Sequence, residues 1–181
     1  MKRLIFPLLM FIIGSQTAYS ADAEVFGGIV LGKTTPSQLT QLLTSRGCSW
    51  HQEPNGKGVA YTPSEGCYKM FATINQPVFF VVDSTVRLIV QEIPKDMGNK
   101  NFDTYVSMLK DKYGAPAEYK RPFVGDATAA WTTESMFVAL EFPHMNFDGT
   151  LAYGLLSDLK LADQQEKEAK RNTSNETKSM L

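Results

Sequence analysis

The chain has few of the parts from which active sites are assembled. Among its 181 residues are two cysteines, Cys48 and Cys67, and two histidines, His51 and His144. There is no G-x-S-x-G elbow, no H-E-x-x-H pair and no Walker-type phosphate loop, which removes the common hydrolase, zinc-protease and nucleotide-binding signatures. Beyond the N-terminal segment no apolar run is long enough to cross a bilayer. The formal net charge is −1 and no broad basic stretch occurs, so nothing electrostatic points to nucleic acid as a partner. These absences lead to the expectation of a protein that is not an enzyme and takes no cofactor.

What is present begins with an address. Lys2 and Arg3 precede an apolar run at residues 4–14, which leads to the small residues Ala18 and Ser20. This reads as a secretory signal peptide over residues 1–20, cleaved after Ser20. Pro7 and the shortness of the run argue against a membrane helix, and no cysteine stands near the cleavage point to take a lipid. The expected protein is therefore periplasmic or secreted, without stable membrane insertion.

In an oxidising compartment Cys48 and Cys67 are expected to bridge. Closing a loop of that length contributes about 3 kcal/mol in the chain-entropy model. The bridge displaces two reactive alternatives. His51, three residues from Cys48, suits an activated thiolate only if Cys48 stays reduced. Cys48, His51 and Cys67 are also one ligand short of a structural zinc site. No catalytic residue and no metal site are expected. The carboxylates Glu53, Glu65, Asp83, Asp126, Glu134 and Asp148 are scattered and suit turns and solvated surface.

Local signals predict two helices. Thr35, Pro36 and Gln38 form a capping box with proline at the first helical position, Leu39, Leu42 and Leu43 form its apolar stripe, and Gly47 ends it as a left-handed cap. Asn101 is predicted to cap the second, with Phe102, Tyr105, Val106 and Leu109 on one face and Gly114 closing it. The apolar lead-in before the first helix reads as a short strand or an extended segment. Between the cysteines the reading is a loop with a turn at residues 55–58. Strands are predicted at 67–74, 78–82, 85–93, 117–122, 128–133, 136–142 and 150–156. Asp83 with Ser84, and Asp148 with Gly149, are the expected turns. From residue 159 the composition is polar and predicts a solvated helix followed by a disordered tail.

The two halves resemble each other. Gly47 matches Gly114, Pro54 matches Pro122, and Ala60-Tyr61-Thr62 matches Ala130-Trp131-Thr132. Neither half is large enough to bury a stable core alone. The expected fold is α+β: two tandem helix-plus-antiparallel-sheet modules, residues 21–94 and 95–158, forming a continuous or packed sheet, with a polar C-terminal helix and tail at 159–181. A sheet face left uncovered by helices displays aromatic residues. Trp50, Tyr61 and Trp131 are the candidates for partner binding, since Trp and Tyr are enriched at interfaces.

The glycine-flanked lead-in, capped helix and aromatic strands of residues 26–157 resemble the modules of the small outer-membrane assembly lipoproteins. Their doubling is similar to the tandem arrangement of the beta-lactamase inhibitory proteins. The chain lacks the lipoproteins' anchor cysteine. It holds Ala115 and Ser135 or Met136 where its first half holds Cys48 and Cys67, whereas the inhibitory proteins carry a disulfide in each half. The resemblance implies a module that presents a sheet face and loops to a protein partner in the cell envelope, as an inhibitor or an assembly accessory. The alternative is a small-ligand or glycan site between the two modules.

Overall fold

Thr35 starts the first helix, α1 (Pro36–Ser45), through a complete capping box. Its Oγ1 accepts from the Gln38 amide at 3.3 Å, and Gln38 Oε1 accepts from the Thr35 amide at 2.9 Å. At the other end Gly47 turns left-handed (φ +74°), the Gly47 amide donates to the Thr44 carbonyl, and the Cys48 amide donates to that of Leu43. That double closure is the Schellman arrangement, and it brings Cys48 against the buried Leu43.

The computed structural model describes residues 24–25, 28–64, 77–96, 98 and 100–179. The expected signal peptide, Cys67 and the predicted strand at 67–74 lie outside the described residues. A short antiparallel pair, β1 (Glu24–Val25) and β2 (Ile29–Val30), precedes α1. Then come β3 (Trp50–Asn55), β4 (Gly58–Pro63), β5 (Val78–Val82) and β6 (Thr85–Pro94). A second helix, α2 (Lys100–Tyr113), is followed by β7 (Glu118–Lys120), β8 (Ala127–Thr132), β9 (Met136–Phe142) and β10 (Asp148–Leu155), and α3 (Leu156–Ser179) is the last described element. The fold is α+β, and β3 to β10 form one antiparallel sheet of eight strands in the order β3-β4-β5-β6-β10-β9-β8-β7.

Each half is thus a helix followed by a four-strand meander, and the halves join through their last strands. Pairing β6 to β10 runs from Asp148 opposite Pro94 to Gly154 opposite Leu88. The edges are guarded. β3 carries Pro54 and is exposed beyond Trp50, and β7 has three residues, so neither offers a long template for another strand.

Four expectations change. The stretch between the cysteines contains the β3–β4 hairpin; its polar residues hid it, because an edge strand has no need of apolar alternation. Asn101 lies within α2: its amide is satisfied by Asp96 Oδ1 at 3.0 Å, and its own side chain donates to the Pro94 carbonyl at 2.7 Å. Asp148 and Gly149 belong to β10. A Cβ at Gly149 would stand 2.4 Å from the Phe142 ring, so glycine is there for packing. The C-terminal segment is helical through Ser179, supported in part by the local pairs Lys167–Asp163 and Lys170–Glu166. The Asp83-Ser84 turn is present with both residues at positive φ (49° and 61°), as primed hairpin turns require.

Strand alternation sorts side chains to two faces. Tyr61, Phe79, Ile89, Tyr153, Val138 and Trp131 lie in register across β4, β5, β6, β10, β9 and β8, and all are buried. They share one cluster with Leu39 and Leu43 of α1 and Phe102 and Leu109 of α2. Phe102 meets Phe142 edge-on at 5.4 Å, and the Trp131 indole N–H donates to the Gly114 carbonyl at the end of α2 (2.9 Å). Both helices therefore cover the same face.

Phe79 and Phe80 are adjacent in β5 but point to opposite faces. Phe79→Ala is expected to cost about 3–5 kcal/mol, and Phe80→Ala less than about 1.5 kcal/mol, measured by urea denaturation.

Candidate functional site

The face opposite the helices is built from the other half of the same alternation. In one row Phe80, Leu88, Gly154 and Phe137 are in register across β5, β6, β10 and β9. Gly154 makes that row possible. A Cβ there would lie 2.5 Å from the Phe137 ring and 3.1 Å from Leu88, so only glycine lets the aromatic ring lie across β10 toward Leu88. The next row is Val78, Val90, Ala152, Ala139 and Ala130, continuing to Glu118 at the edge. Three consecutive alanines make a low floor beside the wall formed by Phe137. The third row is Glu92, Thr150, Glu141, Thr128 and Lys120.

Phe80, Leu88, Phe137, Val78, Val90 and Ala139 are each half-buried; α3 touches β9 and β10 and has half-buried Leu156 and Leu159, but no fully buried residue among those described. The result is an apolar surface that crosses the seam between the halves and is bordered by carboxylates. Among the described residues Glu92, Glu118 and Glu141 form no ion pair. Burial, and secondarily the charge of Asp126, push the Glu141 carboxyl above the usual carboxylate range.

The three aromatic residues singled out from sequence are not on this surface. Tyr61 and Trp131 are 7% and 2% exposed and lie under the helices. Trp50 is half-buried and packs against the same core. The physical reason is phase: each falls on the parity of its strand that α1 and α2 cover. Among the described residues the aromatic side chains of the open face are Phe80 and Phe137. The alternation of Met136, Val138, Leu140 and Phe142 was the available signal, since it assigns Phe137 to the opposite side.

Cys48 is buried and is not a free thiol, while its expected partner lies outside the described residues. His51 is exposed on β3, 3.8 Å from Glu53, and His144 is exposed in the β9–β10 turn with its amide donating to Asp126 Oδ1 at 2.7 Å. No group of three or more metal-ligating side chains occurs among the described residues. On the helix side of the seam, Gln91 is buried, and among the described residues neither its Oε1 nor the Tyr113 hydroxyl on α2 has a hydrogen-bond partner. The depression lined by Ser37, Thr40, Gln41, Thr44 and Ser45 is on α1, away from the seam. The chain matches no known protein family, no curated protein and no solved structure. The function is read from the geometry.

Because the folded state raises the Glu141 pKa, it binds that proton more tightly than the unfolded chain does. The contribution of Glu141 to stability is therefore largest in acid and is lost as pH rises through its raised pKa, leaving a penalty at neutral pH. Glu141→Gln is expected to raise neutral-pH stability by a few tenths of a kcal/mol, allowing for solvent screening. The gain should vanish below about pH 4, where both forms are uncharged, and thermal melts across that range read it out.

Proposed function

We propose that this is an exported protein-binding module that works by shape and not by chemistry, as an inhibitor or an envelope-assembly accessory. The observation that carries this reading is the open sheet face. Phe80, Leu88, Phe137, Val78, Val90 and Ala139 stay half-buried on a surface that crosses both halves, and a contiguous apolar area of this kind marks an interaction site. The carboxylates of Glu92, Glu118 and Glu141 along its border, without an ion-pair partner among the described residues, suit a partner segment that is apolar at its centre and cationic at its margin. Such a partner also relieves the like-charge crowding of Glu141 and Asp126. The resemblance to the tandem inhibitory proteins agrees with a face-and-loops mode of binding.

In this reading the first module is cross-linked from Cys48 to Cys67, which ties the far end of the β3–β4 hairpin to the Schellman turn of α1. Mass spectrometry of native protein with and without reduction should count no free thiols before reduction and two after. Two thiols in the native protein overturn the bridge and weaken the case for export.

A photo-crosslinking residue at position 137 tests the face itself. The expected result in living cells is one major protein adduct, lost when Ala139→Arg fills the alanine floor, and absent when the crosslinker replaces the exposed Ser107 on α2. Equal adducts from 137 and 107, or an adduct unaffected by Ala139→Arg, count against the open face as the binding surface.

A further inference from the structure

A second apolar surface lies at the end of the sheet where β6 ends, β7 turns into β8 and β9 turns into β10. Phe123 and Val124, in the β7–β8 turn, are 104% and 66% exposed; Met145 and Phe147, in the β9–β10 turn, are 87% and 93% exposed. Turn tips usually take polar residues and glycine. Two fully solvated phenylalanines there contribute nothing to the core.

The tips are braced. The His144 amide donates to Asp126 Oδ1, linking one turn to the other. Lys95 Nζ donates to the Pro143 carbonyl at 2.6 Å and to that of His144 at 3.2 Å, and the Lys95 amide donates to the Phe147 carbonyl at 3.0 Å. Arg121 holds the base of the first turn through a two-pronged pair with Asp103 of α2, at 2.7 and 2.8 Å. The apolar side chains are therefore presented by fixed backbone. Neither 122–125 nor 145–147 contains a charged residue, and behind them the charge is net acidic, with Lys95, Lys120 and Arg121 against Glu92, Asp103, Asp126, Glu141 and Asp148.

We propose that these two tips dock on the surface of a phospholipid bilayer, with Phe123 and Phe147 entering the boundary between headgroups and acyl chains. Two features select lipid over a protein cleft. The four side chains offer roughly 600 Å² if each aromatic contributes 150–250 Å², short of the roughly 800 Å² that each side of a standard protein interface supplies. The surface is also made of projecting knobs, which a fluid interface accepts without a matching cavity, and aromatic side chains favour that depth. The base carries no net positive charge, so anionic lipid is not required. No described helix is long and apolar enough to cross a membrane, so the contact is peripheral. This inference is independent of the open face.

Flotation of the purified full-length protein with phosphatidylcholine vesicles, with and without added phosphatidylglycerol, tests it. Wild type is expected to float with both, and the Phe123→Asp/Phe147→Asp variant to lose more than about tenfold in vesicle affinity while melting at the wild-type temperature. Ala139→Arg should float as wild type does. As an independent readout, Phe123→Trp should show fluorescence quenched by brominated lipid. The proposal is overturned if wild type stays unbound with both vesicles, if the double aspartate variant floats equally, or if the tryptophan is not quenched. Flotation that needs phosphatidylglycerol and disappears in salt also overturns it, as does a crosslinker at position 123 that reacts with protein alone.

Discussion

The pairing of β6 with β10 is the interaction on which the rest of the structure depends. Seven residue pairs in antiparallel register, from Asp148–Pro94 to Gly154–Leu88, turn two four-stranded meanders into one sheet. Each meander alone has one helix and too little apolar area to offset its conformational entropy. Because the last strand of each half pairs antiparallel with the last strand of the other, an approximate twofold axis stands perpendicular to the sheet. That symmetry puts α1 and α2 on the same face and leaves the other without either of them. The lead-in reinforces the start of β6 beyond the seam: the Gly32 amide donates to the Val86 carbonyl, and the Val86 amide donates to the Thr34 carbonyl, both at 2.8 Å.

Two apolar surfaces follow from that arrangement, for different reasons. The open face exists because a wide sheet has two sides and α1 and α2 cover one. Its side chains lean on one another, as Phe137 leans over Gly154 toward Leu88, so they are half-buried even without a partner. The hairpin tips have no such shelter. Their four large apolar residues are held out by hydrogen bonds among the turns and contribute nothing to folding. The third row of the open face, with Glu92 and Glu141, separates the apolar rows from this end of the sheet, so the two surfaces have distinct chemical borders.

Much of the local structure was legible in the sequence because its causes are local. Thr35 and Gln38 satisfy the amides at the start of α1, Gly47 and Gly114 take left-handed conformations that other residues resist, and Asp83-Ser84 closes a tight hairpin. The similarity of Ala60-Tyr61-Thr62 to Ala130-Trp131-Thr132 matches the structure as well, since Tyr61 and Trp131 occupy corresponding core positions in β4 and β8. The open face was harder to read. An aromatic residue on a strand is core or surface according to which parity the helices cover, and composition does not carry that information. The β3 strand was missed for a related reason: with Pro54 and a polar sequence it lacks the alternation by which strands are recognised.

The sequence by itself determined where α1 begins and ends and where α2 ends, the alternation within β9, the repeat of a helix and its following strands, and the absence of common catalytic motifs. Each depends on interactions between residues near one another in the chain. Only the tertiary structure decided that the halves share one sheet through β6 and β10, which face the helices occupy, and that Phe80 and Phe137 take the outward positions expected of Trp50, Tyr61 and Trp131. Those outcomes depend on hydrogen-bond register between residues about sixty apart, such as Gln91 and Leu151. A shift of one residue in that register exchanges the two faces.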